Sequence, residues 1–210
     1  MLGIINYKLF IISSILLNLT PGADTIYILG KGISRGKKAA IISAVGISTG
    51  CMVHTVLAAF GLSVILSKSI IAFNIVKAVG AFYLIYLGIK SMKTKDFSLK
   101  EKDKENISSG KIFREGVLTN VLNPKVALFF LSFMPQFISP NNSFGAIPFI
   151  ILGSTFVFTG TIWCLILAIS SSLMTKKLKE KPSFSKILNR LTGIIFVGLG
   201  LKLLTSKANN

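Results

Sequence analysis

The residue types best suited to chemistry in this 210-residue chain interrupt two apolar stretches: Thr20, Pro21, Gly22 and Asp24 in the first, and Asn123, Pro124 and Lys125 in the second. A proline withholds an N–H, and its ring clashes with the carbonyl four residues back, so a helix must kink or restart there. Thr20 and Asn123 are good N-caps, and a proline just after them suits the first helical position. Each motif therefore reads as the N-terminus of a fresh half-helix. Such an end carries a partial positive charge and free N–H groups, which suit an anionic group such as a carboxylate.

The surrounding elements belong in a bilayer. Mean hydropathy is +0.70 and 51% of residues are apolar, more than a soluble core requires. Neither Ala39 to Ser67 nor Val126 to Thr175 contains a Lys, Arg, Asp or Glu, and each window exceeds the roughly 20 apolar residues that cross a membrane. Apolar runs predict an all-α polytopic protein with six transmembrane helices, near 4–30, 39–66, 69–92, 112–138, 146–173 and 187–204. The opening MLGIINYKLF lacks a charged leader, and no small-x-small cleavage site follows, so the first span is expected to stay in the mature protein.

The net charge of +17 raises the possibility of nucleic-acid binding, since clustered Lys and Arg release counterions from phosphates. The basic residues instead gather between spans. Lys31, Arg35, Lys37 and Lys38 make four, Lys90 through Arg114 eight, and Lys176 through Arg190 six, whereas the other side holds Lys8, Lys68, Lys202 and Lys207. That asymmetry places the three clusters in the cytoplasm and both termini outside, and no nucleic-acid partner is implied.

A polar linker at 93–111 divides the chain into a first three-helix unit at 1–92 and a second at 112–210. Both halves run in the same order, a broken span, a smooth span and a glycine-containing span. With three crossings per half, the second must lie upside down relative to the first, as an inverted repeat. At 1.5 Å per residue, Pro21 lies about 15 Å from the cytoplasmic edge and Pro124 about 18 Å, both near the middle of a core roughly 30 Å thick. The two half-helix N-termini are then expected to face one another there.

Asp24 and Lys125 are the charges at that depth. Asp24 can be read as merely complementing its helix dipole. Lys125 opposes the dipole of its own helix, and its burial costs at least ~2.5 to 3.5 kcal/mol, so something must compensate. A salt bridge to Asp24 or a bound carboxylate would do so, and the pair would suit a zwitterionic amino acid. His54, central in the second span, is either a proton carrier or a satisfied packing residue. Lys77 can snorkel outward or line a cavity. Asn18 and Asn120 could bond the freed backbone carbonyls, Cys51 and Cys164 read as small packing residues, and the glycines at 46, 50, 61, 80, 88, 193, 198 and 200 permit close helix approach.

The chain has no GxxxxGK[ST] run, no HExxH and no Cys-rich metal pattern, so no enzymatic or ATP-driven chemistry, cofactor or metal site is expected. The runs LTPGADTIYILGKGISRGKKAAIISAVGISTG and LTNVLNPKVALFFLSFMPQF resemble the lysine exporter (LysE/RhtB) family of bacterial amino-acid exporters over essentially the whole chain. The resemblance implies a secondary transporter in the bacterial plasma membrane that exports amino acids or close derivatives in exchange for protons. Its two signatures fall on Thr20, Pro21, Gly22 and Asp24 and on Asn123, Pro124 and Lys125, with Ala23 where a second proline often follows. Asp24 and His54 are the candidates for proton coupling. A metal-cation exporter, a passive channel and a non-transporting scaffold are the other readings, and a homodimer is left open.

Overall fold

The computed structural model describes residues 2–63, 108–139 and 142–171 continuously, and isolated helical positions between 75 and 93 and between 173 and 201. Lys77, Gly80, most of the expected spans at 69–92 and 187–204, and the linker from 94 to 107 lie outside the described residues. The described residues are almost entirely helical, apart from an antiparallel bridge between Ile4 and Ile138.

The first expected span is two helices, α1 (Tyr7–Leu19) and α2 (Ala23–Arg35), meeting at a 46° bend. Proline and glycine at 21 and 22 enforce the break, but the cap differs from expectation. Gly22 is the N-cap of α2, while Thr20 terminates α1, its hydroxyl donating to the Leu16 carbonyl at 2.9 Å. The short hydroxyl side chain satisfies an orphan carbonyl of its own helix before it can reach the next one.

The fourth expected span is likewise double: α4 (Ser109–Val121) meets a helical run at 45°, which starts as α5 (Pro124–Leu128) and continues through a π turn at Phe129–Phe133 into a 3-10 turn ending at Phe137. Here Asn123 is the N-cap and Pro124 opens the helix, as the sequence predicts. Between these come α3 (Lys37–Leu57), extended by a π turn to Leu62, and α6 (Ile147–Ile169) follows them. Among the described residues, two unbroken helices are long and apolar enough to cross a membrane, and four spans result if each bent pair counts as one.

Elements contact one another across the two halves of the chain: those in corresponding positions run opposite ways, whereas α3 and α4, in the most extensive contact, run the same way. Ile5 N–H reaches the Phe137 carbonyl at one end of the broken spans, and Tyr27 reaches the Ile112 carbonyl at the other. Between α3 and α6, Thr161 donates to Ser48 at 2.9 Å and Gly153 abuts Thr55. In the third pair, Gly88 meets the Gly193 carbonyl and Gly200 the Ala81 carbonyl.

Glycine permits the tightest of these contacts. A Cβ on Gly46 of α3 would strike the Phe113 carbonyl, and one on Gly116 of α4 would lie 2.9 Å from the Ser43 carbonyl. Backbone cannot yield as a side chain can, so Gly46→Val is expected to cost about 1–3 kcal/mol. Thermal unfolding in detergent checks this, and an unchanged midpoint would refute so close an approach.

Candidate functional site

Both breaks open on one cavity between the paired halves. Asp24 and Thr25 from α2, Asn120 from α4, Lys125 and Val126 from α5, Ile47 and Ser48 from α3, and Phe156, Thr161 and Trp163 from α6 contribute to its wall. The space open to the centre of a water-sized sphere is about 30 Å³, room for about two waters.

Asp24 sits in the first turn of α2, where its charge suits the helix dipole. Its Oδ2 accepts from Asn120 Nδ2 at 3.0 Å, while Oδ1 is buried without a partner. Asn120 Oδ1 and Trp163 Nε1 are also buried and unpartnered. The cavity residues thus hold two orphan acceptors and one orphan donor, each carrying a penalty of about 1–3 kcal/mol, more for the charged group. A ligand that presents N–H donors to the first two and an acceptor to the third removes those penalties together.

Lys125 solves its burial differently from the expected salt bridge. Its ammonium donates to the Leu17 carbonyl at 3.2 Å and the Thr20 carbonyl at 3.0 Å, and it forms no ion pair with Asp24. The break ends α1 beside Lys125, and these C-terminal carbonyls accommodate the charge, since a helix C-terminus carries partial negative charge; the Leu17 carbonyl also accepts from Thr20 N–H at 3.2 Å. Gly22 leaves the space: a Cβ there would lie 3.3 Å from Nζ.

The expected free N–H groups at the start of α5 are absent. Asn123 Oδ1 accepts from Lys125 N–H at 3.0 Å, and the Asn123 carbonyl accepts from Val126 and Ala127 N–H. The cap that starts the half-helix consumes the donors that an anion would have used.

His54 is buried beside the site and not in its wall. Its Nε2 lies 3.2 Å from the Asn120 carbonyl oxygen, which can only accept, so Nε2 carries a proton. The ring stacks on Phe130, with centroids 5.6 Å apart. His54 therefore touches the backbone of the residue whose side chain holds Asp24.

Packing closes the cavity at both ends. Toward Ile4 and Ile138, cavity-lining Phe156 stacks on Phe129 at 4.4 Å, and contacts continue through Phe133 to Phe137 and Phe10. Toward the basic end, Ile28, Ala44, Ile47, Cys164 and Leu167 form a second apolar cluster. Beyond it Lys31 pairs with Glu115 at 2.7 Å, and the Tyr27 hydroxyl reaches Glu115 at 3.1 Å.

Cys51 and Cys164, the chain's two cysteines, are buried in the cavity wall and report on this closure. Polar thiol reagents are expected to label neither in the intact protein. Because a partly exposed ion pair contributes about 0–1 kcal/mol, Glu115→Ala is expected to raise labelling from the basic side by up to about five-fold. Equal rates in both proteins would show that Glu115 does not hold that end shut.

Of the residues singled out in the sequence, Asp24, Lys125, Asn18, Asn120, Cys51 and Cys164 line the cavity, Asn18 and Asn120 donating to Thr159 and Asp24 and not to the expected backbone carbonyls, whereas Thr20, Pro21, Gly22, Asn123 and Pro124 shape the breaks. The contributions of Ser48, Thr161 and Trp163 were not anticipated. A lone tryptophan beside Thr161 in an otherwise apolar span was the available signal. Among the described residues no three His, Cys, Asp or Glu side chains gather as metal ligands.

The family described as LysE type translocator matches residues 15–207. The chain is 39% identical to the uncharacterized membrane protein YrhP of Bacillus subtilis, covering 87% of this chain and 90% of that one. It is 31% identical to the leucine efflux protein of Salmonella typhimurium and 30% to that of Klebsiella pneumoniae, in both cases over 97% of this chain and 96% of the relative. No solved structure matches.

Proposed function

The chain belongs to the LysE type translocator family, and on that premise we propose that it exports an amino acid with an apolar side chain from the cytoplasm across the plasma membrane. The observation that carries this reading is the half-satisfied carboxylate of Asp24 in a closed cavity. A substrate ammonium bonds Asp24 Oδ1 and Asn120 Oδ1. Its carboxylate takes the Trp163 N–H and the remaining N–H of Lys125, and its side chain lies against Ile47, Val126 and Phe156. The leucine efflux relatives support that choice of substrate.

The transport cycle follows from the two closures. The cavity as it stands is too small for an amino acid, so substrate reaches it when the Lys31–Glu115 end parts, and leaves when the aromatic end parts. Export is coupled to inward proton movement, with Asp24 and His54 as the groups that take up and release the proton and Asn120 bonded to both. Six spans arranged as an inverted repeat, with both termini outside, provide the symmetry for alternating access. The opposed running of the corresponding elements, the two broken spans, α3 with α6, and the helical positions 81–88 with 193–200, supports that arrangement. Lys31, Arg35, Lys37, Lys38, Lys111 and Arg114 all belong to the end where α2 meets α4, which supports a cytoplasmic assignment for it.

The test uses bacteria lacking their own exporters, loaded with dipeptides that release leucine, isoleucine, valine, threonine or lysine inside the cell. Faster appearance of the branched-chain amino acids in the medium, with threonine and lysine unchanged, is the expected result. Verified membrane insertion with no acceleration for any amino acid would overturn the reading.

A further inference from the structure

The C-terminal end of α1 holds a cation. The helix stops at Leu19, and the carbonyls of Leu17 and Thr20 converge on one point, 3.2 and 3.0 Å from the ammonium of Lys125. Unwound carbonyls at a broken helix in mid-membrane are the groups that bind a free cation in other secondary transporters. Here the cation arrives on a side chain 105 residues away, from the first turn of α5, where its charge is otherwise unfavourable. One further feature fits the ammonium to this seat: Gly22 withholds the Cβ that would press on it at 3.3 Å.

We propose that the Leu17 and Thr20 carbonyls form a site for a small monovalent cation, and that Lys125 is its tethered occupant, replacing the free sodium ion that such a site would otherwise take. The proposal deepens the transport reading, because it makes one side chain join the two broken spans and removes any requirement for sodium. When the bound carboxylate draws Lys125 aside, the end of α1 loses its counter-charge and the contact between the two breaks loosens. Substrate binding thereby reaches the hinge.

The purified protein and its Lys125→Ala variant are compared in sodium, methylammonium and choline chloride at equal ionic strength, by thermal unfolding and by leucine counterflow in proteoliposomes. The intact protein is expected to unfold and transport identically in all three salts. Lys125→Ala is expected to unfold about 3 °C higher when sodium or methylammonium is present at about ten times its Kd than in choline, which is too large for the seat. Its counterflow is expected to fall at least about ten-fold in choline and to recover several-fold in one of the small cations. Sodium dependence of the intact protein overturns the proposal, and so does a variant whose unfolding is indifferent to the cation. If Lys125→Ala cannot be purified folded in choline, purification in sodium or methylammonium is expected to yield folded protein, and failure in all three salts overturns the proposal. A cation-dependent midpoint in the variant, with no leucine counterflow by the intact protein, retains the site and rejects the transport reading.

Discussion

Asp24→Asn is expected to abolish export while leaving the protein folded. Asparagine keeps an oxygen to accept from Asn120 Nδ2, so the α2–α4 contact survives. The other position becomes an NH2 donor where Asp24 Oδ1 now offers an unpartnered acceptor. A substrate ammonium would then meet a donor in place of a charge. Losing one partner of a buried, hydrogen-bonded charge pair costs about 2–5 kcal/mol, or about 30-fold to several-thousand-fold in affinity. Efflux rates normalised to inserted protein, with thermal unfolding alongside, measure both halves of the expectation. A variant exporting within about two-fold of the parent would remove Asp24 from the binding site, since even the low end of that range exceeds two-fold.

Lys125→Met carries the second large effect, on stability and on export together. Methionine keeps most of the side-chain length and none of the donors, so the Leu17 and Thr20 carbonyls lose the ammonium they share. The Leu17 carbonyl keeps the Thr20 N–H at 3.2 Å, so the loss is that of the ammonium's charge-assisted bonds, about 1.5–3 kcal/mol for a hydrogen bond to a charged group, and the midpoint of unfolding is expected to fall by several degrees. The double variant Asp24→Asn with Lys125→Met distinguishes two explanations. If the charges served mainly to neutralise one another, removing both would restore what removing one destroys. The geometry predicts no restoration, because Lys125 is held by backbone carbonyls and not by the Asp24 carboxylate. Recovery of stability in the double variant would contradict that assignment.

The membrane character, the two breaks and the charges beside them were legible in the sequence because each depends on local chemistry. An uncharged run such as Ala39 to Ser67 has to leave water whatever surrounds it, and a proline interrupts the hydrogen bonds of its own helix wherever that helix packs. Asn123 as an N-cap could be read for the same reason, since cap, proline and capped N–H lie within three residues. The cap at the first break was misread because Thr20 had two partners in reach, the helix before it and the helix after it. The preceding carbonyl at Leu16 took it.

What tertiary structure alone decided is which distant groups meet. The sequence put Asp24 and Lys125 at the same depth, and electrostatics made a salt bridge between them the simple expectation. The 46° bend instead delivers the carbonyl end of α1 to Lys125 and leaves Asp24 to Asn120, 96 residues away. Trp163, Ser48 and Thr161 join the site because α3 and α6 pair across the halves, a matter of helix packing and not of any motif. Propensity, hydropathy and chain breaks act over a few residues, so the sequence by itself determined the membrane character, the two interruptions and the charges placed there. Hydrogen-bond partners and packing contacts at long separation depend on the fold as a whole, and only the folded structure decided which carbonyl, carboxylate and ring share the cavity.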